Sequence, residues 1–358
     1  MPEIYDYARD AVEVPDASLD RIANITLTRF NEATRWQQSE LIGGKPLRAV
    51  LRDCYDQYNG ILSARDREIA DAIGVDAYVN LTSMKAGLVQ SYLLEALVQS
   101  NQIPWVIEPT PIPSLSADME AEAVSQITGM VKQGYRGDLD ALISEVKTKY
   151  EHAAVDAAKD AADRMERLIT DQCVEGGWNN AMYGFASDFT VYPYAVLTGP
   201  IPTRRARLTW SNNTLQMKPE VFYEWKNVSP WDFWYSSDSP DTQQGTGVFI
   251  RERWNKRQLM DAMKLPSYNA RNIELTLKEA GRQDYIYRWM SENPDQPDER
   301  LVHWNNCVAT VDVLIHYGYF SGRELSSFGI TEVNDLDFYN AKITVIGKRT
   351  IQVVVQKN

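Results

Sequence analysis

Residues 139–177 read LDALISEVKTKYEHAAVDAAKDAADRMERLITDQCVEGG, and this stretch decides how the rest of the chain divides. Leu142, Val146, Tyr150, Ala153, Ala157, Ala161, Met165 and Leu168 recur at three- and four-residue spacing. That spacing predicts one long helix over 139–174 with a narrow, alanine-rich apolar stripe, and small side chains on a stripe let another backbone approach closely. Leucine at Ala157 is expected to overpack such a contact. The opposite face carries Lys159, Asp160, Asp163, Arg164, Glu166 and Arg167, the composition of a solvated face or of one turned to a neighbouring subunit. Gly176 and Gly177 then stop the helix, as glycine after the last periodic residue does.

Upstream the texture is helical. Residues 17–72 read as short packed helices broken at Gly43, Gly44 and Pro46, and residues 79–98 as another helix. The four prolines within 103–113 exclude a helix interior there, because each ring fixes φ and removes a donor. Downstream, residues 178–197 continue with aromatic and apolar residues up to Gly199 and Pro200, which read as a chain turn. Beyond them the pattern becomes β: residues 205–210 and 220–228 alternate, and the Ser, Asp and Pro cluster at 236–241 with Gly245 and Gly247 is turn chemistry. Short helices are expected over 257–263 and 270–280, joined through Pro266. Strands follow over 308–319 and 341–356, the latter split at Gly347. The chain stops directly after a strand, which reads as an incomplete chain.

With 358 residues, 44% hydrophobic and 24% charged, the chain can bury more than one core and is not a disordered one. Its formal charge of −12 supplies no global basic field to draw in nucleic acid, so a tight sequence-reading DNA binder is not expected. An acidic surface suits a conduit along which DNA slides, and equally serves plain solubility. Cys54, Cys173 and Cys307 are odd in number and far apart, which argues against a disulfide framework or a zinc site and for reduced thiols in a cytoplasmic product. Neither a signal sequence nor an 18-residue apolar run is found, so no membrane is implied.

The residues that would carry catalysis are sparse. His152, His303 and His316 stand in no metal-binding spacing, and no phosphate loop, dinucleotide fingerprint or nucleophile elbow occurs. Residues 244–247, Gln-Gly-Thr-Gly, lack a strand-then-helix context and read as a turn. Asp238 and Asp241 are a carboxylate pair in turn context, where solvation is the simpler role than acid/base or ion-binding work. No enzyme, cofactor or metal is expected. Trp178, Trp210, Trp225, Trp231, Trp234 and Trp254 are large apolar payloads that fill cores or subunit interfaces. In Pro230-Trp231-Asp232-Phe233-Trp234, alternation would set Trp231 and Phe233 on one face of a β segment that anchors the body. Arg204, Arg205 and Arg207, followed by Lys218, form the densest positive patch: either a strand edge blunted by charge or a contact to phosphate or a partner.

Three segments, in order, resemble the portal proteins of short-tailed bacteriophages over roughly residues 84–260. The first is Met84-Lys85-Ala86-Gly87 leading through a helix to Ile103-Pro104-Trp105-Val106-Ile107-Glu108-Pro109-Thr110-Pro111. The second runs from Ala162-Asp163-Arg164-Met165-Glu166 through Glu175-Gly176-Gly177-Trp178 to Tyr194-Ala195-Val196-Leu197-Thr198-Gly199-Pro200. The third and most specific is Val228-Ser229-Pro230-Trp231-Asp232-Phe233-Trp234, a polar turn, Val248-Phe249-Ile250-Arg251-Glu252-Arg253 and the small helix at Arg257-Gln258-Leu259. The family's later proline-containing stretch and Gln/Asn-bearing stem helix are not seen.

The resemblance implies an α+β subunit with long charged helices, a mixed wing body and a β-rich segment near the stem or clip. It divides the chain into a helical and proline-rich part of the wing (1–137), a long helix and its follower (138–200), a β-rich wing body (201–300) and the first strands of the stem or clip region (301–358). It further implies a ring, usually of twelve copies, at the portal vertex of the virion, assembled in the host cytoplasm. The partners it implies are the terminase large subunit, capsid and scaffolding proteins, tail or adaptor proteins, and double-stranded DNA passing non-specifically. Gly176, Gly177, Trp178, Gly199, Pro200, Pro230, Trp231, Asp232 and Phe233 are the expected structural anchors. A carboxylate-metal phage nuclease and a mostly helical scaffolding or adaptor protein are the alternatives.

Overall fold

The computed structural model describes residues 12, 14–39, 41–74, 79–98, 106–109, 117–133, 139–211, 214–236, 238, 245–265, 267–280 and 310–357. They form an α+β fold whose contacts divide it into two bodies interleaved along the sequence. Residues 1–83, 191–196 and 228–358 make one, and residues 84–190 with 197–227 make the other.

The first body is built on an antiparallel sheet of five strands in the order β5 (Phe233–Tyr235), β6 (Gly247–Asn255), β7 (Thr310–Ser321), β8 (Phe338–Ile346) and β9 (Arg349–Lys357). Alternation along β7 covers both of its faces. Leu314, His316 and Phe320 turn to one side, where helix α1 (Leu19–Ser39) lays down Ile22, Ala23, Phe30 and Ala33. Val311, Val313 and Ile315 turn to the other, against Leu259 of α8 (Lys256–Ala262) and Ile273 of α9 (Ala270–Ala280). The buried positions of α1 recur three and four apart, so its apolar stripe matches the width of the sheet. A short helix, Gly322–Ser327, follows β7. Its Ser321/Glu324 capping box was readable in the sequence but absent from the expected elements. Ahead of the sheet lie the small hairpin β1 (Leu41–Ile42) and β2 (Lys45–Pro46), α2 (Leu47–Asn59) and α3 (Ala64–Ile73). Gly60 and Gly74 close these two helices in the left-handed region.

The second body contains most of α4 (Leu81–Leu97), then α5 (Ala117–Lys132), α6 (Leu139–Glu175), α7 (Trp178–Val191) and a hairpin of β3 (Val196–Ser211) and β4 (Thr214–Val228). Helix α6 is a single 37-residue element that stops at the two glycines. Its buried line begins as expected at Leu142 and Val146 but departs from the expected one beyond Tyr150. Leu142, Val146, Ala154, Ala162 and Cys173 are buried, while Ala153, Ala157, Ala161, Met165 and Leu168 are exposed. The sequence carries Ala153-Ala154, Ala157-Ala158 and Ala161-Ala162, two parallel alanine lines one residue apart. One residue is about 100° around a helix, and only the partners choose between the lines. Those partners are α5, through Tyr150 Oη donating to Gln126 Oε1 at 3.2 Å, and Ile107, whose N–H donates to Glu166 Oε2 at 3.4 Å.

Two further expectations change. Gly199 and Pro200 do not turn the chain; they lie inside β3, joined by a cis peptide bond. Pro230, Trp231 and Asp232 form a 3-10 turn, not a strand, because Pro230 follows Ser229, whose hydroxyl accepts from the Trp231 N–H. The strand begins only at Phe233. Trp231 and Phe233 therefore do not share a strand face, and the most deeply buried aromatic of the block is Trp234. Of the 103–113 stretch, 106–109 has no regular secondary structure, and the remainder lies outside the described residues, as do Asp241, Pro266, His303 and Cys307.

Candidate functional site

Three of the expected anchors in the second body, Gly176, Trp178 and Gly199, meet at a residue not singled out among them, Trp225 of β4. The Trp178 ring stands edge-on to the Trp225 ring at 4.8 Å, in a cluster with Cys173, Met182, Ile169, Leu97 and Phe185. Gly176 accepts the Trp225 N–H at 2.9 Å, and a Cβ on Gly176 would lie 1.8 Å from the Tyr223 carbonyl oxygen. Glycine is required there by close backbone approach. Gly199 meets the same indole, since a Cβ there would lie 2.6 Å from Trp225 Cε3, and its φ of 148° independently favours glycine. Gly177, at φ 79°, makes the left-handed step between α6 and α7. Burial pushes the Cys173 thiol up, with a smaller opposing hydrogen bond to Trp225, so this cysteine is a packed apolar group and not a poised nucleophile.

The glycine corner and the two indoles thus clamp the base of the β3–β4 hairpin to the end of the long helix. Arg204, Arg205 and Arg207 lie farther out on β3, Arg204 being five residues, or about 17 Å of extended strand, beyond Gly199. Their side chains, with those of Trp210 and Lys218, lie outside the described residues. The arrangement is a two-stranded arm bearing the chain's densest basic cluster, held at one end.

In the first body, Asp232 accepts from Arg251 Nε at 2.7 Å and from its Nη2, and the Arg251 side chain is only 3% exposed. Arg251 lies 6.0 Å from the Trp234 ring centre, and Arg48 lies over the same ring at 4.7 Å while donating to the Trp231 carbonyl at 3.0 Å. Phe30 meets Trp234 edge-on at 5.0 Å. Trp231 donates through Nε1 to Tyr192 Oη at 3.1 Å, and Phe233 is buried with Val228 and Ile250. Pro230 is buried at the head of the turn, and its carbonyl accepts from Tyr194 Oη at 3.1 Å. Asp232, Phe233 and Trp234 hold β5 to β6 and α1, while Pro230 and Trp231 bond Tyr194, Tyr192 and Arg48. None of these contacts is legible as sequence spacing, because Arg48, Phe30 and Arg251 come from three other elements.

His316 belongs to the same core. Its ring stacks on Phe249 at 4.4 Å, its Nδ1 lies 3.2 Å from the Val248 carbonyl, and Gly247 and Gly318 leave the space it occupies. Burial, reinforced by the charge of Arg29, lowers its pKa to about 3, so the imidazole is neutral and structural. Among the described residues no group of three or more His, Cys, Asp or Glu is placed to hold a metal ion. No described helix is long and apolar enough to cross a membrane. A cleft of about 450 Å³ borders β9, and its polar groups bond one another: Asn269 Nδ2 donates to Asp16 Oδ1 and Gln352 Nε2 to Ser267 Oγ. Compared with protein-family models and with curated proteins, the chain matches none of them.

Proposed function

We propose that this chain is a structural subunit of the portal type, one copy of a ring at the unique vertex of a phage capsid through which double-stranded DNA is packaged and ejected. One observation carries the reading. The elements follow in the order of the segments that carry the resemblance: the long charged helix, its glycine corner, a second helix, the Gly-Pro strand, the Pro-Trp-Asp-Phe-Trp turn and the strand Gly247–Asn255 with its small helix. The physical character of the arm supports it. A conduit needs contacts to phosphate that carry no base reading, and a short arginine cluster on an otherwise acidic chain offers attraction too local to hold DNA fast. The five-stranded sheet, with aromatic residues in its interior, fits poorly with the mostly helical scaffolding alternative. Terminase large subunit, capsid and scaffolding proteins, and tail or adaptor proteins are the partners in this proposal. No residue is assigned a catalytic step.

Electron microscopy of the purified chain in negative stain tests the reading. Rings with a central hole are expected. A protein that stays monomeric at every concentration, or that cleaves DNA with a divalent ion and loses the activity on one acidic substitution, would remove it.

A further inference from the structure

We draw no further inference here: the strongest candidate, the cleft of about 450 Å³ bordering β9 at the N-terminus of α9, carries nothing, because its buried Gln352 is already bonded to Thr344 and Ser267 and a helix N-terminus alone points to no ligand.

Discussion

Strand β7 hides both of its faces, whereas helix α6 hides only part of its circumference. The strand lies between α1 on one side and α8 with α9 on the other, so every second residue finds a partner within the same body. The helix touches α5 near its start and the Trp178–Trp225 cluster at its end, and between them leaves an alanine line and two large apolar residues in solvent. The difference teaches that the sheet body buries both faces of its central strand internally, while α6 keeps one apolar line exposed among the described residues. Extended strands bury alternate residues in two directions from one segment; a lone long helix needs a partner on every side to do the same.

That contrast can be tested by substitution. Trp234→Ala should have the largest effect, about 3–5 kcal/mol, because it empties the meeting point of α1, β5 and β6. Urea unfolding followed by circular dichroism should show the sheet body lost or the protein insoluble. An effect below about 1 kcal/mol would mean that the core closes around the gap. Gly176→Ala should cost about 3 kcal/mol, since the added carbon would strike the Tyr223 carbonyl. Faster amide exchange confined to β3 and β4 would identify the clamp as the part that yields.

Acid should act on the sheet body through His316. Its pKa is about 3 when folded against 6.5 ordinarily, so between those values the unfolded chain binds the extra proton and stability falls as pH is lowered. The loss from this group should reach about 2 kcal/mol at pH 5 relative to neutral pH, at about 1.4 kcal/mol per unit. His316→Phe should flatten the slope over that range, and an unchanged slope would place the acid sensitivity elsewhere. The smallest effects should come from the two alanine lines. Ala154→Leu should lower stability by about 1 kcal/mol or more and Ala157→Leu by less than about 0.5 kcal/mol. Equal effects would erase the distinction between the used and the spare line.

Much of the fold was legible because it rests on local signals. The long helix and its glycine stop, and the strands split at Gly347, follow from periodicity and from glycine's conformational freedom, which act over a few residues. The candidate site was less so. The arginines of the arm and the glycines at its base could be named from sequence, but the meeting of Gly176, Trp178 and Gly199 at Trp225 could not, because they reach that residue, the first through its backbone and the others through its ring, from three separate elements. The reading of Trp231 and Phe233 as one strand face failed for a local reason: Ser229 caps a turn where alternation alone predicts extension.

By itself the sequence determined that the chain is α+β, where its longest helix begins and ends, and that its basic residues cluster at Arg204, Arg205 and Arg207. Only the tertiary structure decided which of two identical alanine lines is buried, which tryptophan is the core of the aromatic block, and which glycines are needed for backbone contact. The physical reason is common to all three. Periodicity and composition are properties of neighbours along the chain, whereas burial is set by segments that arrive from far away, and chemically equivalent positions 100° apart on a helix differ only in what arrives.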